Sequence, residues 1–183
     1  MHHTEQASPW VQRWTHLVPA HGTVLDVACG HGRHLRWFAA RDHAVVGVDR
    51  DPAAADAAGG ALVVVADIEN GPWPFAGQRF DAVVVTNYLW RALLPTVVNS
   101  VADGGVLIYE TFAAGNETVG KPSRPDFLLQ PGELLQACAG LHVVAYENGF
   151  LEAPERFVQR IVAVRKRPAD GALPQRHRLG AAG

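Results

Sequence analysis

The stretch Val24-Leu25-Asp26-Val27-Ala28-Cys29-Gly30-His31-Gly32-Arg33-His34-Leu35-Arg36-Trp37-Phe38 decides how the rest of this chain is read. It opens as a short apolar run of β type, breaks at Gly30 and Gly32, and resumes with helical spacing. Leu35, Phe38 and Ala39 fall on one face of that helix, and Arg33, Arg36 and Arg41 on others. A strand, a glycine turn and a helix start bring free backbone N–H groups and a positive dipole end against a ligand. The two glycines accept a positive φ without a Cβ penalty and let the backbone approach closely. Asp26, at the strand's C-terminal end, adds a fixed negative charge. The pattern predicts a pocket of nucleotide type.

Downstream, Ala44 to Asp49 reads as a second buried strand ending in an acid, 23 residues beyond Asp26. That is near the spacing at which a second-strand carboxylate meets a ribose. Arg50-Asp51-Pro52 starts an alanine-rich helix that stops at Gly59-Gly60. A third strand, Ala61 to Ala66, runs into Asp67-Ile68-Glu69. The fourth, Phe80 to Val85, runs into Thr86-Asn87-Tyr88-Leu89-Trp90. A helix through Pro95 is expected to reach Ala102, and Asp103-Gly104-Gly105 then turns into a fifth strand, Val106 to Glu110. Next comes a Gly/Pro-rich loop over 113–130, of a length that is usually functional or disordered. A helix from Pro131-Gly132-Glu133 and two strands near 141–148 and 156–166 close the domain. Upstream, Ser8-Pro9 marks a helix start. Trp10, Trp14 and Leu17 form a stripe on that helix, expected to pack on the sheet in preference to serving as a lid.

Alternating β and α segments with near-continuous apolar strands predict a Rossmann-like α/β fold. The expected architecture is a seven-stranded, mostly parallel sheet with helices on both faces. One domain over 1–167 is expected, with an N-terminal helical segment 1–19 and a substrate-side loop 113–130. A tail over 168–183, poor in apolar residues, is expected to be mobile.

At 183 residues the chain fits one domain by length, and 48% hydrophobic residues is ordinary for a globular protein. A net charge of −2 gives no global reason to expect nucleic acid or membrane. The charge is uneven: Arg156, Arg160, Arg165, Lys166, Arg167, Arg176 and Arg178 face a single acid, Asp170. A solvated strand and basic tail is the expected reading, ahead of an RNA contact. Two cysteines without framework spacing point to a reducing, cytoplasmic setting. No apolar run reaches membrane length, and the start MHHTEQASPW lacks a signal-peptide core. His2-His3 carries no weight in the argument.

For a nicotinamide dinucleotide the fingerprint needs a third glycine where this chain has Leu35, so Gly30 to Leu35 fails it. The ordered set Asp26, Ala28, Gly30, Gly32; Asp49; Asp67-Ile68; Phe80-Asp81; Asp103-Gly104-Gly105 instead resembles the class I S-adenosylmethionine-dependent methyltransferases. The resemblance spans about residues 20–112, and Ala28 stands where glycine is commonest in that family. Val119-Gly120-Lys121-Pro122, Phe127 and Gly132-Glu133-Leu134 resemble the small tellurite-resistance-type members. Tyr109 to Phe112 and Asn116-Glu117 lie outside the widespread pattern.

The resemblance implies S-adenosyl-L-methionine as cofactor. Asp26 would act near the donor's methionine amino group, with Ala28, Cys29, Gly30 and Gly32 lining its side. Asp49, with Arg50 beside it, would take the ribose hydroxyls, and Asp67 and Ile68 the edge and face of adenine. Asn87 would face the transferred methyl, and Tyr88, Glu110 and Glu133 are the candidate bases for an oxygen or nitrogen acceptor, whereas a soft thiolate, selenide or telluride would need none. The expected acceptor is a small molecule. An RNA or protein methyltransferase, or a donor-binding module without turnover, are the alternatives, and nothing in the sequence sets the oligomeric state. His31 and His34 are expected as a surface or capping pair in preference to metal ligands, and Cys29 as a space-filler.

Overall fold

The structure is a computed structural model that describes residues 6–171 and 174–180. His2-His3 lies outside them. The glycine-turn stretch supplies β1 (Thr23–Val27), whose last four residues are all buried. Its pleat sends Leu25 and Val27 into the larger apolar core and Val24 into a second core on the opposite face of the sheet. Strands β2 (Ala44–Asp49), β3 (Leu62–Val65) and β4 (Phe80–Thr86) pair parallel around it, and β5 (Val101–Phe112) pairs parallel to β4. The chain closes with β6 (His142–Glu152) and β7 (Glu155–Val164), and β7 inserts antiparallel between β5 and β6. The seven strands run in the order β3-β2-β1-β4-β5-β7-β6. From β1 the chain moves out one way to β3, then returns to lay β4 on the other side. In open parallel sheets ligands bind at such a reversal, beyond the carboxyl ends of the strands.

One face is covered by α1 (Pro9–Trp14) and α2 (Arg33–Ala39). The Ser8 hydroxyl accepts the Trp10 N–H and Pro9 occupies the first turn, as the sequence signal predicts. Trp10 and Trp14 are 2% and 1% exposed and pack with Phe38, Val84 and Ile108, so the stripe is core. On the other face, α4 (Leu94–Asn99) and α5 (Glu133–Ala137) present Val97 and Leu134 to the core around Leu107 and Tyr109. The alanine-rich α3 (Ala53–Ala57) lies beside the edge strand β3, and Ala54 and Ala58 pack with Cys29 and Leu35. The Asp81 carboxylate accepts the Thr23 N–H at 2.8 Å and its hydroxyl at 3.1 Å, locking the starts of β1 and β4 together.

Two boundaries differ from expectation. The helix expected to reach Ala102 ends at Asn99, and Val101 already pairs with Phe80 as the start of β5. Gly104, at φ +79°, forms a kink inside that strand, and the pairing register with β4 shifts there. The reason is tertiary: the Arg165 guanidinium donates to the carbonyls of Val98 and Val101, ending the helix and holding the strand start. The segment 113–130 is not a plain loop either. It contains 3-10 turns at Asn116–Thr118 and Pro125–Phe127, and Ala113 bridges to Leu129.

Part of the tail returns to the body. His177 stacks near His142, with ring centroids 5.3 Å apart, and the His16 ring meets the Arg178 carbonyl at 3.0 Å.

Candidate active site

At the carboxyl end of β1 the backbone turns through three positive φ values: Ala28 at +54°, Gly30 at +50° and Gly32 at +72°. Gly30 faces open space, where a Cβ would meet nothing within 4 Å. Gly32 is closed in, since a Cβ would stand 3.0 Å from the Ala58 Cα. Ala28, where the family pattern favours glycine, holds the left-handed conformation at some cost, because an L-residue there crowds its own Cβ. Cys29 is buried, and burial first, with the Asp26 and Asp49 charges second, pushes its thiol up to about 12. It is an inert space-filler, and its Sγ would stand only 2.6 Å from a Cβ at Gly47.

Asp49 closes the turn from β2. One of its carboxylate oxygens accepts the Gly30 N–H at 2.8 Å and the other the Asp51 N–H at 2.9 Å. A carboxylate has about four acceptor sites, so two remain for hydroxyls. Asp67 is built in the same manner. It accepts the N–H groups of Glu69 and Asn70 and the Asn70 amide, which hold its carboxyl below the usual range. Ile68 is 8% exposed and belongs to the larger core, while Arg50 is exposed. Asp26 stands apart: it is 1% exposed and neither carboxylate oxygen has a hydrogen-bond partner.

After β4, Asn87 adopts φ +54° and its N–H donates to the Glu110 carbonyl at 2.9 Å. Asparagine tolerates this conformation better than most residues, and it leaves Asn87 exposed at the strand end. The Tyr88 hydroxyl is buried near Glu69, and burial first, then the Glu69 charge and its hydrogen bonding, raises the phenol above its ordinary range. Glu110, expected as another candidate base, is engaged on both oxygens. Oε1 accepts the Ser8 hydroxyl at 2.7 Å and Oε2 pairs with Arg160 at 3.1 Å, at 1% exposure. The sequence places Glu110 at a strand end; only the β5–β7 register brings Arg160 across from it.

His34 is a correction. It is not a surface or capping group but a buried one, 1% exposed, with Nδ1 3.6 Å from Asp26 and Nε2 accepting the Ser8 N–H at 3.2 Å. Its position one turn before Phe38 on the sheet-facing side of α2 was the available signal. Among the described residues no group of three or more His, Cys, Asp or Glu could hold a metal.

The 113–130 segment is held by residues whose role the sequence does not reveal. Arg91 donates to the carbonyls of Asp126 and Leu128 and to both oxygens of Glu133. Asn116, 1% exposed, donates to the Pro122 carbonyl and accepts the Phe157 N–H. Gln159 bridges the Leu134 N–H and the Gln130 carbonyl. Of the two bulky apolar residues late in this segment, Leu128 is buried at 2% exposure and Phe127 is 38% exposed.

The sequence family described as a methyltransferase domain matches residues 24–105. The fold is shared with TehB from Haemophilus influenzae, at TM-score 0.64 and 18% identity over 81% of this chain and 59% of that one. This chain therefore spans less than two thirds of that protein's length. It is shared also with a methyltransferase from Methanosarcina mazei, at TM-score 0.68 and 15% identity over 88% of this chain and 99% of that one. A third is CalS10 from Micromonospora echinaspora, an amino pentose methyltransferase solved with S-adenosylmethionine bound, at TM-score 0.64 and 22% identity over 87% and 93% of the two chains. No curated protein matches the sequence. The family match over residues 24–105 and the shared sheet topology support a class I S-adenosylmethionine-dependent methyltransferase, with S-adenosylmethionine as the cofactor.

Proposed function

We propose that this protein transfers a methyl group from S-adenosylmethionine to a small-molecule acceptor. The observation that carries the donor half is Asp26: a carboxylate at 1% exposure that accepts no hydrogen bond, beside a backbone turned through three positive φ values at the β1/β4 reversal. A buried carboxylate without a hydrogen-bond donor is costly, and an ammonium group that donates to it would relieve that cost. The residues fit the cofactor. Asp26 would hold its ammonium group, Asp49 its ribose hydroxyls, and the backbone of Ala28, Cys29, Gly30 and Gly32 its flank. Arg50, Asp67 and Ile68 would border the adenine, and Asn87 the methyl-bearing end. When bound, the cofactor supplies an electrophilic methyl group on a sulfonium.

In-line displacement with a neutral leaving group needs positioning and exclusion of water more than proton transfer. Tyr88 suits the first task, because its raised pKa keeps it a neutral hydroxyl and an aromatic wall instead of a base. Glu110, paired with Arg160, ties α1 to the sheet. The 113–130 segment, leaving β5 at the carboxyl edge and pinned by Arg91, would cover the acceptor. Support for a small acceptor over RNA comes from the C-terminal arginines: Arg160 is spent on Glu110 and Glu147, and Arg165 on backbone carbonyls. Among the described residues no helix is long and apolar enough to cross a membrane.

Calorimetry tests the donor half. S-adenosylmethionine and S-adenosylhomocysteine are expected to bind at micromolar strength and NADH not to bind. At a hundredfold excess over Kd the stabilisation is about 2.7 kcal/mol, visible as a rise in Tm. Binding of NADH without any S-adenosyl ligand would refute the reading. A panel of thiols, selenite, tellurite, halides, phenols and amines, read by release of S-adenosylhomocysteine, tests the acceptor half. Salt-dependent RNA retention with no turnover on the panel would favour a macromolecular acceptor. Donor binding with no turnover on any acceptor would leave a binding module.

A further inference from the structure

The imidazole of His34 sits between two groups that the proposed reaction does not explain together. On one side Nδ1 lies 3.6 Å from Asp26 Oδ2, beyond hydrogen-bond length. On the other, Nε2 meets the backbone N–H of Ser8 at 3.2 Å. The side chains of His34 and Asp26 are 2% and 1% exposed, so water does not mediate freely between them. A neutral imidazole that accepts at Nε2 carries its proton on Nδ1. That proton is therefore on the nitrogen next to Asp26. Ser8 is itself immobilised: its hydroxyl accepts the Trp10 N–H at the start of α1 and donates to Glu110, which Arg160 holds from β7. The ring is thus set by a chain of contacts from the N-terminal segment, and Asp26 is the one member of this cluster that makes no hydrogen bond with its side chain.

We propose that His34 is a positioning residue for the donor. Its Nδ1–H draws one oxygen of Asp26 and so presents the other toward the glycine turn, where the donor's ammonium group would bind. The Ser8 amide selects the tautomer that makes this possible. The inference rests on the reading of Asp26 as the ammonium partner.

Two nearly isosteric variants separate the two nitrogens. In His34→Asn the side-chain amide reaches only as far as Nδ1, so a donor toward Asp26 is kept and the acceptor for Ser8 is lost. In His34→Gln the amide oxygen reaches the Nε2 position, so the Ser8 contact is kept and the donor near Asp26 is lost. The Kd for S-adenosylmethionine by calorimetry is expected to rise about tenfold in His34→Gln, with Tm near that of the parent. In His34→Asn it is expected to stay within about threefold, with a lowered Tm. The Gln variant would recover its turnover at saturating donor, a KM effect without a kcat effect. Unchanged donor affinity in His34→Gln, or Kd values that simply follow Tm in both variants, would overturn the proposal. Nitrogen-15 NMR of the unaltered protein needs no variant: the Nδ1–H tautomer at His34 is expected, and an Nε2–H tautomer would overturn the proposal. Failure of the folded, unaltered protein to bind S-adenosylmethionine would instead remove the reading of Asp26, and this inference with it.

Discussion

The two sides of the cleft are tied together over very different distances along the chain. On the glycine-turn side the contacts are short-range. Asp49 reaches back 19 positions to Gly30 and forward two to Asp51, and Asp67 holds residues two and three beyond it. On the side of the 113–130 segment, Arg91 reaches across 35, 37 and 42 positions to Asp126, Leu128 and Glu133, and Asn116 across 41 to Phe157. The first side is a set of turns that each close on themselves, strung along the ends of parallel strands. The second exists only once the β5–β7 pairing and α5 have formed. Local turns can be carried from one chain to another as a motif, whereas a segment held by distant ties is particular to its chain.

The largest expected effect breaks the second side alone. Shortening the segment between Asn116 and Ser123, with Asn116 retained, is expected to leave the donor Kd within about twofold. Turnover is expected to fall about a hundredfold or more, the scale of a small misplacement of reacting groups. Loss of donor binding in a folded, shortened protein would assign the segment to the cofactor instead.

Asp49→Ala attacks the first side. Losing hydrogen bonds to a charged group is expected to weaken the donor by about 1.5–3 kcal/mol, roughly ten- to 150-fold in Kd. The Gly30 and Asp51 N–H groups also lose their acceptor, so a modest fall in Tm should accompany it. An unchanged donor Kd would mean that another carboxylate meets the ribose.

Acid should loosen the two sides unequally. Burial acts to raise the Glu133 pKa, but the Arg91 guanidinium and the Gln130 N–H outweigh it and hold the carboxyl below its ordinary 4.5. A depressed folded pKa gives stability that is present above the unfolded value and lost as pH falls through the folded one. The protection factor of the Gln130 amide, whose N–H bonds to Glu133, should therefore fall below about pH 4.5 in the parent protein. In Glu133→Gln that pH-dependent fall should be absent. An equal fall in both proteins would show that Glu133 is not what holds the segment.

The smallest effect sharpens the comparison. Ala28→Gly relieves a left-handed alanine at φ +54° but adds freedom to the unfolded chain. The two terms oppose, and a net gain of about 0.5–1 kcal/mol is expected, read as a rise in Tm with donor affinity unchanged. A loss of stability would show that the alanine methyl contributes packing greater than the strain.

Much was legible in the residues themselves. The sheet class, the glycine turn, the N-cap at Ser8, the apolar stripe of Trp10 and Trp14, and the acids Asp26, Asp49 and Asp67 at strand ends follow from patterns within about ten residues. The period of two, the period of 3.6 and the preference of glycine for positive φ act at that range. Tertiary structure alone decided that helix α4 stops at Asn99, because the Arg165 that takes its carbonyls comes more than sixty positions later. It decided that Glu110 forms a buried ion pair, because an antiparallel register places Arg160 opposite it. It also decided that His34 is an inner neighbour of Asp26, because α2 turns that residue toward the sheet beneath the Ser8 segment. A buried charge must find its partner across the fold, and no spacing along the chain records where that partner will stand.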